Sequence, residues 1–213
     1  MIPSKYRYIV VEGPIGVGKT SLAGRLAERL SAEPLLEEPD ANPFLPGFYR
    51  DMRRHALSTQ LFFLFQRVNQ VTELKQRDLF GRLTVADFLL EKDPLFARLT
   101  LDDAEFQLYT QIYSHLKVQA PQPDLVIYLQ APVDLLMERI ERRGLKMERN
   151  ISEAYLRRLA DSYTQFFYQY DAAPLLIVNS VNLNFVDRPK DFDLLLEHIS
   201  HLRGPREFLN RAA

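Results

Sequence analysis

Residues 13–21 read GPIGVGKTS, a run whose residue types and spacing suit the capture of phosphate. Gly13, Gly18, Lys19 and Thr20 satisfy the pattern Gly-x4-Gly-Lys-Ser/Thr, and Gly16 adds a further point where the backbone can close on a ligand. In such a loop the main-chain N–H groups, here those from Ile15 through Val17 to Ser21, form an anion cradle at the positive end of a helix. Lys19 is placed to reach the β- and γ-phosphates of ATP, and Thr20 to offer its hydroxyl to Mg²⁺. The loop specifies a donor and leaves the acceptor open, because motors, switches and kinases share it.

Such a loop works only between a buried strand and a helix. Tyr8-Ile-Val-Val11 supplies the strand, and Leu22, Leu26 and Leu30 recur at a helical period. Apolar runs at 83–87, 124–129 and 174–179, with a shorter one at 34–38, predict four more strands, of the kind buried on both faces of a parallel sheet. Helical patterns cover 55–76, 102–118, 133–142, 153–170 and 190–202. Alternating strands and helices predict an α/β fold, a doubly wound parallel five-stranded sheet flanked by helices, with ligands beyond the carboxyl ends of the strands. The 213 residues, 46% hydrophobic and 26% charged, fit a single domain over 1–213.

Composition narrows the partners. A net charge of −1 gives no field that would favour nucleic acid polymers or anionic membranes, so a small molecule is the expected partner. The absence of cysteine excludes disulfides, zinc-thiolate sites and thiol nucleophiles. No apolar run approaches membrane length and none resembles a signal peptide, so a cytoplasmic protein is expected. The four histidines show no metal-ligand spacing, and the charged tail from Arg203 reads as a solvated or docking terminus.

Chemistry must therefore come from carboxylates, lysine, arginine and hydroxyls. Glu37-Glu38-Pro39-Asp40 follows the second strand, at the rim where ligands bind, and a carboxylate there can take the proton of an attacking hydroxyl. The alternative for the same residues is a solvated acidic turn. Gln60, Leu64, Arg67 and Val71 share one face of a long helix. A buried Gln there needs an amide-like partner, which a nucleobase edge provides, whereas the plainer reading leaves Gln60 and Arg67 at the margin of an exposed stripe.

Taken together, GPIGVGKTSLA, Glu38-Pro39, NPFLPGFY, Tyr49 followed by Gln60 and then Arg67, KDPLFARLTL, PDLVIYLQAP and RIERRG before YLRRLADSY resemble the deoxynucleoside kinase family over nearly the whole chain. The resemblance implies a phosphate-loop nucleoside kinase that moves the γ-phosphate of Mg·ATP to the 5′-hydroxyl of a deoxynucleoside, most simply a purine one. It makes Glu38 the general base, Tyr49 the partner of the sugar 3′-hydroxyl, Gln60 the base reader and Arg67 a contributor to base selectivity. One of Phe48, Phe62 and Phe63 would stack on the base. Asp87 would join Thr20 at Mg²⁺. Arg139 and Arg143 would close over the phosphates from a lid at 143–149, and the molecule would be a homodimer.

The sequence departs from that family at three places. Where an acidic residue, Arg and Ser are usual, it reads Ala86-Asp87-Phe88, without the arginine. The lid has Arg142 and Arg143 before Gly144 but Leu145 after it. An acidic residue before Tyr-Leu is replaced by Ala154. Two further readings therefore stay open: a degraded nucleotide-binding member of the family, and a kinase for a nucleoside monophosphate or another small acceptor.

Overall fold

The computed structural model describes residues 6–77, 82–116 and 121–211. Strand β1 (Tyr8–Glu12) is buried along its whole length and leads through the glycine loop into helix α1 (Lys19–Leu30). Strands β2 (Glu33–Leu35) and β3 (Thr84–Ala86) flank helix α2 (Leu45–Phe48) and the long helix α3 (Met52–Arg77) in the chain. Helices α4 (Asp93–Thr100) and α5 (Asp103–Leu116), strand β4 (Leu125–Gln130) and helix α6 (Val133–Arg143) follow. After a 3-10 turn at Lys146–Asn150 come α7 (Glu153–Gln169), β5 (Leu175–Asn179), α8 (Pro189–His201) and β6 (Arg206–Leu209).

The strands form one sheet in the order β2-β3-β1-β4-β5-β6, with every neighbouring pair parallel. The chain leaves β1 toward β2 and β3, then crosses to β4 on the other side. A crevice therefore opens at the carboxyl ends of β1 and its neighbours. Strands such as β4, whose first five residues are all buried, show why the runs are continuously apolar: helices cover both faces.

The expectation of five strands is corrected to six. The tail is not a solvated terminus: residues 206–209 pair with β5, and Arg206 donates to the carbonyls of Tyr168 and Tyr170 at 3.0 and 2.7 Å. The helical patterns in the sequence do not include α4, which Pro94 in its first turn starts. The second strand is shorter than expected, ending at Leu35 before Glu37, and the predicted helix end at 117–118 lies outside the described residues.

Candidate active site

The glycine loop is built around two left-handed glycines. Gly16 has φ +84°, and a β-carbon on it would lie 2.8 Å from the Leu136 carbonyl oxygen and 2.9 Å from Ile140 Cγ1. Gly18, φ +102°, caps α1 with no side chain over the helix end, so the first amides of α1 have no intrahelical partner and face outward. Lys19 Nζ lies 3.4 Å from the Pro14 carbonyl, folded across the loop. Burial lowers the Lys19 pKa, while the carboxylates of Glu12, Glu37 and Asp87 pull it back up. The ammonium is thus poorly hydrated and poised for an anion.

Asp87, 1% exposed, stands just past β3. Its Oδ2 accepts from Thr20 Oγ1 at 2.5 Å and its Oδ1 from the Glu37 amide at 2.8 Å. Burial and the Glu37 charge raise its pKa, and the two hydrogen bonds oppose the rise. Two hard oxygens side by side against the phosphate loop form a donor set that fits Mg²⁺, which takes one or two protein oxygens and completes its shell with water and phosphate. Among the described residues there is no cluster of three or more His, Cys, Asp or Glu that could hold a metal ion.

A cleft of about 150 Å³ opens beside this loop. Ile15, Gly16, Lys19, Thr20 and Ser21 line one end. Gln60 and Tyr49 also line the cleft, together with Phe48, Phe63 and Phe96. Gln60 is 4% exposed and its amide donates to Thr100 Oγ1 at 3.3 Å, so the plainer reading of an exposed stripe is set aside. Of the candidate stacking rings, Phe48 and Phe63 reach the cleft and Phe62 does not, while Phe96 was not anticipated. Burial, with the neighbouring Tyr155 and Glu148, raises the Tyr49 pKa, so its phenol is a hydrogen-bonding group and stays protonated.

The acidic pair after β2 divides between cleft and solvent. Glu38, expected to face the acceptor, is exposed and does not line the cleft, and its carbonyl accepts from Gln66 Nε2 at 3.3 Å. Glu37 lines the cleft instead, with its side chain 15% exposed. Successive residues of extended chain point to opposite sides, so a one-residue difference exchanges inside for outside. Arg67 holds Glu37 through Nε at 2.7 Å and Nη2 at 2.5 Å, both on Oε1, and its Nη1 pairs with buried Asp93. Burial pushes the Glu37 carboxyl up, but the charges of Arg67, Lys92 and Lys19 outweigh it and hold the pKa at about 2. Glu37 is therefore ionised throughout the physiological range.

No arginine follows Asp87, and Phe88 is buried. A cation reaches the cleft from Lys92, which is 1% exposed, pairs with Glu12 at 3.0 Å and donates to Tyr163 Oη at 3.2 Å. Glu12 also accepts the Gly13 and Leu89 amides at 3.0 and 2.8 Å, tying the glycine loop to the turn after β3. Sequence reasoning missed Lys92 because a lysine beside Glu and Asp in the run EKD reads as solvated.

A second recess lies across the loop, lined by Val17, Ser21, Arg139, Ser180, Asn184 and Phe185. Arg139 is tied there, donating to the Ser180 carbonyl at 2.9 Å, Ser180 Oγ at 3.1 Å and the Val17 carbonyl at 3.3 Å. It does not line the first cleft, so the expected pairing of Arg139 with Arg143 over one point is not what the side chains do. Arg143 lines both openings and binds Glu148 in a fork at 2.5 and 3.1 Å. Glu148, 9% exposed, brings a carboxylate to the cleft from the segment after α6, whereas Glu153 beside Ala154 pairs with Arg157 at the surface.

The geometry agrees with the comparisons. The family model described as deoxynucleoside kinase matches residues 9–202. A deoxyguanosine kinase of Bacillus subtilis is 32% identical over 200 residues, 92% of this chain and 97% of the relative. A deoxyadenosine kinase of Lactobacillus acidophilus is 31% identical, covering 84% of this chain and 87% of the relative. Among solved structures, the deoxyadenosine kinase from M. mycoides with products dCMP and a flexible dCDP bound superposes with a TM-score of 0.79 at 25% identity, covering 92% of this chain and all of that one. The same enzyme with bound dATP gives 0.78 at 26% identity, covering 91% of this chain and 99% of that one.

Proposed function

The chain belongs to the deoxynucleoside kinase family and is an ATP-dependent kinase of deoxynucleosides; we propose that it phosphorylates the 5′-hydroxyl, of a purine deoxynucleoside first, with Glu37 as the base. The observation that carries the proposal is a single cleft with the phosphate-binding Lys19 and Thr20 at one end, Gln60 lining it farther along, and an ionised Glu37 on its wall. A base assignment to Glu38, the residue the Glu-Pro pair suggests, is replaced because that side chain is exposed and lies off the cleft.

Both Arg67 bonds fall on Oε1 of Glu37, which leaves Oε2 to take the hydroxyl proton. A carboxylate held near pKa 2 is a weak base toward a resting alcohol. It serves as an orienting acceptor until the O–P bond forms, when the bridging oxygen becomes strongly acidic and gives up its proton. Lys19, the loop amides and Arg143 balance the charge on the transferring group. Thr20 and Asp87 would hold Mg²⁺, which would supply positive charge against the donor phosphates. Lys92 supplies the cation missing after Asp87, Tyr49 and Glu148 hold the sugar, and Gln60 reads the base.

The segment 143–149 acts as a lid of one domain spanning the chain, and Arg143, common to both openings, excludes water from the transfer. A cytoplasmic setting is consistent with the absence, among the described residues, of a helix long and apolar enough to cross a membrane. A homodimer is supported by Phe65 on α3 and Leu108 on α5, each 47% exposed on helices that pack together. The test is transfer of labelled γ-phosphate from ATP to the four deoxynucleosides and their monophosphates. Label should appear on the nucleosides, and a purine one should react fastest. Transfer to monophosphates alone would replace the acceptor, and ATP binding without transfer would mark a degraded site.

A further inference from the structure

We propose that the Thr59 hydroxyl reads the nucleobase alongside Gln60, an inference that rests on the kinase reading above. Thr59 lies in α3, is 1% exposed and lines the acceptor cleft. Its Oγ1 is buried with no hydrogen-bond partner among the described residues. A helical threonine ordinarily satisfies its hydroxyl on the carbonyl four residues back. Thr72, Thr100, Thr110 and Thr164 all do so here, at 2.7, 2.8, 2.8 and 3.0 Å. Thr20 and Thr59 are the two described helical threonines that do not. The Thr20 hydroxyl turns to Asp87 in the phosphate site, and the Thr59 hydroxyl is left over in the same cleft.

A buried hydroxyl without a partner is unfavourable, so its persistence in a cleft wall signals a partner that arrives with the ligand. The helix is fixed at this point, since Asn42 Nδ2 donates to the Thr59 carbonyl at 3.2 Å. The same cleft is lined by Leu45, Phe48, Phe63 and Phe96, apolar side chains suited to a flat ring, and by Gln60, the next residue in the chain. The phosphate-binding residues lie on other elements, α1 and the glycine loop. That leaves the nucleoside as the partner, and the aromatic lining shared with Gln60 favours its base edge over its sugar, with a hydroxyl able both to donate and to accept.

The experiment compares Thr59→Val, which keeps the shape and removes the hydroxyl, with Thr59→Ser, which keeps the hydroxyl. It measures kcat and KM for all four deoxynucleosides, KM for ATP, and the melting temperature without ligand. Thr59→Val should lose about tenfold in kcat/KM for the preferred deoxynucleoside, mainly through KM, and markedly less for at least one other base. Its KM for ATP should not change, Thr59→Ser should restore activity to within about twofold, and the ligand-free Val variant should melt no lower than wild type. An active wild type with an unchanged Val variant would overturn the inference alone. So would an equal loss on all four nucleosides, which would move the contact to the sugar, or a lowered ligand-free melting temperature tracking the activity loss. A wild-type protein that phosphorylates no deoxynucleoside would remove the kinase reading and the inference with it.

Discussion

Replacing Arg67 with Met should bring an acid limb into the rate profile. In the wild-type protein burial alone would raise the Glu37 pKa, yet Arg67, then Lys92 and Lys19, bring it from the ordinary 4.5 to about 2. At about 1.36 kcal/mol per pH unit, this corresponds to about 3 kcal/mol favouring the ionised form in the folded state. Because the folded pKa is the depressed one, that stabilisation is fully present above pH 4.5 and fades as the pH falls toward 2. Arg67 is the largest of the lowering influences, so its loss moves the Glu37 carboxyl upward toward the value that burial favours. Glu37 and Asp93 both lose a buried partner, which costs about 3–5 kcal/mol and roughly 6–20 °C in melting temperature for a domain of this size. The assay is kcat/KM for the deoxynucleoside from about pH 5 to 8, well below the melting point of the variant. Any limb due to ATP itself is common to both proteins. Wild type should show no Glu37 limb in this window, and the variant should lose activity toward its acid end. A folded variant with the wild-type profile would refute the electrostatic account of Glu37.

The remaining expectations concern the two ends of the cleft. Gln60→Leu should raise the deoxynucleoside KM by at least about tenfold and leave the ATP KM unchanged, since Gln60 lines the cleft and lies outside the second recess. An equal loss for both substrates would indicate a folding defect. Asp87→Asn should raise the Mg²⁺ concentration needed for half-maximal rate by about tenfold, because it removes the charge beside Thr20 Oγ1. An unchanged Mg²⁺ dependence would remove Asp87 from the metal site.

Much of this architecture is legible in the residues. The phosphate loop, the buried strand before it and the helix after it are a local pattern, and Gly16 and Gly18 take the positive φ values that only glycine accepts readily. The position of Gln60 on the inner face of α3 also follows from helical spacing. The failures share a cause, in that long-range packing chose between local options. Glu37 and Glu38 differ by one residue after a strand only three residues long, too short for its alternation to fix which side chain points inward. Strand β6 buries one of its four residues, Leu209, so Arg206-Glu207-Phe208 carries no buried-strand signal, and pairing with β5 decides the matter. Lys92 sits between two acids in the chain, and only the assembled fold brings Glu12 and Tyr163 to its ammonium.

One comparison reaches the centre of the account: the single-turnover rate of phosphoryl transfer, with saturating Mg·ATP and deoxynucleoside, for Glu37→Gln and Glu38→Gln. Glu37→Gln should slow transfer by at least about a hundredfold while nucleotide binding persists, and Glu38→Gln should stay within a few-fold of wild type. The reverse ranking, with Glu38→Gln silent and Glu37→Gln active, would contradict it.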